Sequence, residues 1–263
     1  MNNNSKKSSD YLCAALDGFD LSLGDIDLID AIYNRLIPIS NDIGWVKVGM
    51  ELFYSSYGKC DVLKIINNQN LKIFLDLKLK DIALDTIKNT SGVLTAKGVD
   101  MFNIHADGTF KMMRAAIEGA DSVSQNLGIE RPKIIGVTVL TSMDEDDLKE
   151  IGINSSMNVQ VLRLALLAQK SGLDGIVCSA LDLEYLKTEL PDDFIFVTPG
   201  IRLPKGDATG QSRVATPDFA IEQGATHLVV GRPIYSHKQA TEQQNVVSII
   251  NKMIQSGLLK LEK

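Results

Sequence analysis

KIFLDLKLKDI, residues 72–82, alternates apolar and charged side chains from Leu75 to Leu79. A period of two is the signature of a β-strand, whose successive side chains point to opposite faces. Leu75, Leu77 and Leu79 are therefore expected on one apolar face, with Asp76 and Lys78 together on the other. Comparable runs recur along the chain: YLCAALD (11–17), WVKVGMEL (45–52), MFNIHAD (101–107), KIIGVTVLT (133–141), GIVCSA (175–180), IFVTPGI (195–201) and HLVVGRPI (227–234). Segments of helical periodicity lie between them, among them Asp25 to Leu36, Val159 to Ser171 and Thr216 to Gln223. Strand and helix in alternation predict a parallel sheet with right-handed crossovers. Eight such units suit a closed (β/α)8 barrel, the TIM-barrel α/β fold, and an open doubly wound sheet is the competing architecture.

No Pro-, Gly- or Ser-rich linker divides the 263 residues, so one domain is expected over 11–263, preceded by a disordered polar tail at 1–10. The formal net charge of −6 argues against a nucleic-acid or anionic-membrane binder, because an acidic surface repels both. No apolar stretch reaches the length of a membrane span. Cys13, Cys60 and Cys178 are odd in number and form no CxxC pair, and His105, His227 and His237 have no ligand spacing. Neither a structural metal nor a disulfide framework is expected, and a reducing cytoplasm is the default location.

In a barrel the C-terminal ends of all strands meet at one face, which carries the active site. The strand ends here are polar or glycine: Asp17, Lys78, His105, Thr141-Ser142, Gly200-Ile201-Arg202 and Gly231-Arg232. Asp76 and Lys78, aimed inward, satisfy each other as a structural ion pair or serve chemistry. Burying charges is costly even when they are paired, which favours chemistry. In the second strand the same alternation turns Trp45, Lys47 and Gly49 inward. Lys47 is thereby aimed at Asp76, and Gly49 leaves room for a close neighbour. Gly200 and Gly231 allow close backbone approach to an anion, and Arg202 and Arg232 offer forks for phosphate oxygens. A surface ion pair is the alternative for either arginine alone. Leu203 to Ser212 reads as a mobile lid, with Gln211 a phosphate or base contact. His105 reads equally as catalytic or as a buried, bonded histidine. The DEDD run at 144–147 reads as the acidic first turn of a helix. No Walker A loop, dinucleotide fingerprint, GxSxG or HExxH motif occurs.

In this order and spacing the strings ALD at 15–17, WVKVGMELF at 45–53, D-x-K-x-x-D-I at 76–82, VTVLTS at 137–142, VTPGIR at 197–202 and VVGRPI at 229–234 resemble the orotidine 5′-phosphate decarboxylase family. The resemblance implies decarboxylation of orotidine 5′-phosphate to UMP without metal or cofactor. It implies that Lys78 protonates the carbon that loses carbon dioxide and that Asp76 lies against the substrate carboxylate. Lys47 and Asp17 would hold the network and the ribose. Asp81 would cross a homodimer interface into the partner's site, and Ile82 would also touch substrate. Thr141 and Ser142 would meet the pyrimidine, while Arg202, Gln211, Gly231 and Arg232 would hold the phosphate. One departure stands out: the family usually continues D-I-P-x-T, and this chain has Asp85 where that threonine is expected, with Thr86 able to substitute only after a local shift. The rival reading within the same group is a magnesium-dependent sugar-phosphate decarboxylase or hexulose-phosphate synthase. Those enzymes typically present glutamate where this chain has Lys47.

Overall fold

The computed structural model describes residues 6–20, 22–204 and 213–261. Among them, eight parallel strands close into a barrel in chain order: β1 (Leu12–Leu16), β2 (Trp45–Gly49), β3 (Lys72–Leu79), β4 (Met101–His105), β5 (Lys133–Val137), β6 (Gly175–Val177), β7 (Ile195–Thr198) and β8 (His227–Val230). β1 pairs with β8 in the register Leu12↔Leu228, so no edge is left open. Each expected run contains its strand, and closure excludes the open sheet.

The crossovers carry α1 (Asp25–Leu36), α2 (Met50–Ser55), α3 (Val62–Asn67), α4 (Lys88–Ala96), α5 (Thr109–Leu127), α6 (Glu145–Glu150), α7 (Met157–Ser171), α8 (Leu183–Leu186), α9 (Pro217–Gln223) and α10 (Arg232–Tyr235), and α11 (Ala240–Leu261) closes the chain. The helical spans expected from periodicity coincide with α1, α7 and α9. Ser8–Tyr11 forms a single 3-10 turn ahead of β1, and residues 1–5 lie outside the described residues.

Alternation along the strands sorts their side chains into two cores. Leu12, Leu16, Val46, Ile73, Leu75, Phe102 and Leu228 face outward and bury against helical residues such as Ile32, Leu36 and Val161. Cys13, Ala15, Trp45, Phe74, Met101, Ile135, Val197 and Val229 face inward and fill the barrel. The Trp45 ring meets His227 edge-on, with centroids 4.9 Å apart. This inner layer forms an apolar floor beneath the C-terminal mouth.

Regular alternation fails at the end of β3. Its register against β4 runs Phe74↔Met101 and Leu75↔Phe102, and then jumps to Leu79↔Ile104. β3 thus carries two residues more than its partner between those points, and Lys78 sits at φ +50°. A left-handed L-residue costs about 1–2 kcal/mol, so neighbouring contacts must hold it there.

α4 and α5 cross closely because glycines line the crossing. A Cβ on Gly92 would lie 3.0 Å from Val123 Cγ2, and one on Gly119 would lie 2.0 Å from the Lys88 carbonyl oxygen. Backbone cannot yield as a side-chain tip does. Gly119→Ala is expected to destabilise the fold by roughly 1–3 kcal/mol, read as a lowered midpoint in thermal or denaturant unfolding. An unchanged midpoint would show that the helices separate freely.

Candidate active site

The loop after β1, the ends of β2 and β3, and the ends of β5, β7 and β8 enclose a cavity of about 690 Å³ at the C-terminal mouth. Its lining includes Asp17, Lys47, Asp76, Lys78, Thr141, Ser142, Arg202, Gly231 and Arg232. Nine residues singled out in the sequence are thus gathered in one place. Gln211 and residues 205–212 of the lid expected at Leu203–Ser212 lie outside the described residues.

The centre of the cavity is a chain of alternating charges. Lys47 Nζ stands 2.9 Å from Asp17 Oδ2 and 3.3 Å from Asp76 Oδ2. Lys78 Nζ reaches the other Asp76 oxygen at 2.6 Å. Burial alone would raise the Asp76 pKa, but Lys47 and then Lys78, with hydrogen bonds from Lys78 and Asn103, outweigh it and leave the carboxyl below its usual range. Burial likewise disfavours the charged Lys47, yet Asp76 and Asp17 outweigh that loss and hold its pKa above the usual ammonium value. Asp76 is an anion and Lys47 a cation throughout the neutral range.

Glycine at position 49 makes the Asp17–Lys47 contact possible. A Cβ there would lie 2.7 Å from Asp17 Oδ1 and 3.0 Å from Lys47 Nζ, although the Gly49 backbone itself is extended. The loop that carries Asp17 is fixed by Arg35 from α1. Its guanidinium donates to the Asp17 and Gly18 carbonyls at 2.6 and 2.8 Å and lies 4.0 Å from the Phe19 ring centroid. Nothing in the strand pattern marked Arg35. Asn103 on β4 belongs to the site as well, and its signal in the sequence is a polar side chain at an inward strand position. It bonds to both Asp76 and Lys78.

On the far side of the cavity Arg202 is buried, and one of its nitrogens donates to the Ile201 carbonyl at 2.8 Å. Arg232 follows Gly231 at the end of β8 and is exposed. Arg213 makes two hydrogen bonds to the buried carboxylate of Asp182; Tyr185 Oη donates to the same carboxylate at 2.7 Å.

Asp81 and Ile82 do not join this cavity within one chain. Both are exposed, and Asp81 Oδ1 accepts from the Ile82 N–H at 2.6 Å. The next five residues, Ala83–Ile87, form a π turn in which the Ile87 N–H bonds to the Ile82 carbonyl at 3.0 Å. Such a turn takes up one residue more than an α-turn. Asp85 and Thr86 are both exposed on it. His105 is half-buried, with Nδ1 3.9 Å from Asp107 Oδ1, and is absent from the cavity lining. Burial first, and then the neighbouring lysines, depress its pKa against the opposing carboxylates. The DEDD run acts as a helix start, with Asp144 Oδ1 accepting from the Asp146 and Asp147 N–H groups.

A closed parallel barrel whose C-terminal mouth holds a buried lysine–carboxylate chain opposite two arginines is a TIM-barrel enzyme in architecture. The chain belongs to the orotidine 5′-phosphate decarboxylase / HUMPS family, which it matches over residues 10–245. It is 47% identical over 200 residues to an orotidine 5′-phosphate decarboxylase of Bacillus pumilus, spanning 76% of this chain and 84% of that protein. Identity to the Neisseria meningitidis protein of the same name is 44% over 209 residues, covering 79% of this chain and 80% of the other. The crystal structure of an orotidine 5′-phosphate decarboxylase from Lactobacillus acidophilus superposes with a TM-score of 0.74 at 34% identity, over 92% of this chain and 98% of that one.

Gly49→Ala tests the geometry directly. The displaced groups are tips of flexible side chains, so the variant is expected to unfold within a few degrees of the wild type. A crystal structure should find Asp17 and Lys47 beyond ion-pair distance. A pair that stays in contact beside the new methyl group would show that the glycine is not what admits it.

Proposed function

We propose that this chain decarboxylates orotidine 5′-phosphate to UMP in pyrimidine biosynthesis, using its own side chains and no metal or cofactor. The observation that carries the reading is the Asp76 carboxylate with Lys47 against one oxygen and Lys78 against the other. Breaking the bond between the ring carbon and the carboxylate leaves the electron pair on carbon and releases neutral carbon dioxide. The Lys78 ammonium then delivers its proton to that carbon. Asp76, already ionised, repels the substrate carboxylate, and the repulsion vanishes as carbon dioxide forms. The lysine cation meanwhile stabilises the charge that develops. Both effects discriminate transition state from ground state, as a rate enhancement requires.

Phosphate held by Arg202, Gly231, Arg232 and Gln211 would anchor the substrate far from the reacting carbon, with Thr141 and Ser142 against the pyrimidine and Asp17 and Lys47 at the ribose. Against a magnesium-dependent sugar-phosphate reaction stands Lys47, whose ammonium occupies the space between two carboxylates where a cation would sit. Exposed Asp81, together with exposed Ile82 and Leu84, supports a homodimer in which Asp81 and Ile82 complete the partner's site. Three free cysteines fit a reducing cytoplasm, and among the described residues no helix is long and apolar enough to cross a membrane.

Loss of orotidine 5′-phosphate absorbance should proceed unchanged in EDTA and fall by roughly 10²–10⁴-fold or more in Lys78→Ala. Activity retained by that variant would remove the proton-donor role, and activity abolished by EDTA would remove the metal-free mechanism. For the shared site, Asp81→Ala and Lys78→Ala are each expected to be nearly inactive alone. Mixed hybrid dimers should regain activity, because one of their two sites pairs an intact Lys78 with an intact Asp81. Hybrids formed without any recovery would rule out the composite site.

A further inference from the structure

We infer that Asn103 is a positioning residue for the decarboxylation, holding Asp76 and the Lys78 backbone in their working arrangement through the two ends of one amide. The inference rests on the reaction proposed above. Asn103 is 1% exposed and lies outside the cavity lining, so it acts only through its neighbours. Its Oδ1 accepts from the Lys78 N–H at 2.7 Å, and its Nδ2 donates to Asp76 Oδ1 at 2.7 Å. The backbone donor fixes which end of the amide faces which partner. Lys78 Nζ donates to the same Asp76 oxygen at 2.6 Å.

The residue sits opposite the irregularity in β3. Register is lost between Leu75 and Leu79, and Ile104, the residue after Asn103, is where pairing resumes. Within that gap a regular ladder cannot satisfy the Lys78 N–H, and the Asn103 carbonyl takes its place. The bond holds Lys78 at φ +50°, which turns its side chain back toward Asp76. The other end of the amide donates to the Asp76 oxygen that Lys78 reaches, while Lys47 stands against the second oxygen. No other neutral side chain of this size offers an acceptor and a donor at this spacing. Leucine has the volume and neither group, and aspartate keeps the acceptor but sets a second carboxylate against Asp76.

The charged and titratable groups around Asp76 are Lys47 on β2, Lys78 on its own strand, His105 on β4 and Cys13 on β1, with Asp17, in the loop after β1, held against Lys47. Asn103→Leu deletes none of these groups and removes the one hydrogen bond from the amide that favours the Asp76 anion. The Asp76 titration should therefore move to higher pH.

Three measurements on Asn103→Leu and Asn103→Asp decide the matter: steady-state kinetics from acid to neutral pH, affinity for UMP by calorimetry, and Asp76 titration by carboxyl ¹³C NMR. For Asn103→Leu we expect kcat lowered by a hundredfold or more, KM and UMP affinity within about threefold of wild type, and the acid limb of the rate profile displaced upward in step with the Asp76 titration. For Asn103→Asp we expect a larger loss at neutral pH that narrows on acidification, as one proton comes to be shared between the two carboxyls. A purely structural residue would lower stability and UMP binding together and leave the acid limb in place, and that result would overturn the inference. So would an unmoved Asp76 titration in a folded Asn103→Leu protein. The NMR arm needs no substrate. If the wild type failed to turn over orotidine 5′-phosphate, the proposed reaction would fall while the titration still decided the role of Asn103.

Discussion

A carboxylate withdrawn from water remains an anion only when cations and hydrogen-bond donors stand against it, and Asp76 imposes that condition on the whole mouth of the barrel. Lys47 and Lys78 answer it from two strands and Asn103 from a third. Each answer has its own structural requirement. Lys47 must be shared with Asp17, which needs the missing side chain at Gly49. Lys78 must turn back on its own strand, which needs two additional residues and a left-handed backbone. The loop bearing Asp17 must be tied down, and Arg35 does so from the first helix. The buried anion is the common partner of Lys47, Lys78 and Asn103.

The fold was readable because period-two patterning survives wherever a strand separates two apolar layers. All eight runs hold strands, and alternation set Lys47 and Asp76 on the inner face. The same rule reached Lys78 by an argument that the structure amends. β3 is regular only as far as Leu75, and Lys78 meets Asp76 because the strand bulges. A bulge at an irregular strand end leaves no periodic trace. Asn103 was in principle visible as a polar residue at an inward position of β4, but it lies a strand away from the motif and donates to a group that sequence cannot place beside it. Arg35 was invisible for a different reason: it acts through main-chain carbonyls, which carry no residue-specific signal.

Asp81 and Ile82 mark the limit of reading one chain. They belong to the most distinctive string in the sequence, yet the fold leaves both at the surface, away from the residues they accompany in the motif. A motif is a linear record of groups that work together, and nothing requires that they work in the same molecule.

The apolar floor of Trp45, Phe74, Met101, Ile135 and Val229 has a consequence for traffic. Among the described residues it fills the barrel below Asp76, so the well opens at its rim. In the proposed reaction the gas released above that floor has no rear exit and must pass the nucleotide that remains. The proton that restores Lys78 between turnovers must come down by the same route, and the lysine side chain, 28% exposed at the rim side of Asp76, is within its reach. Entry, escape and recharging thus compete for one doorway. Whatever closes over the phosphate end therefore sets the order of all three events as well as the grip on the substrate.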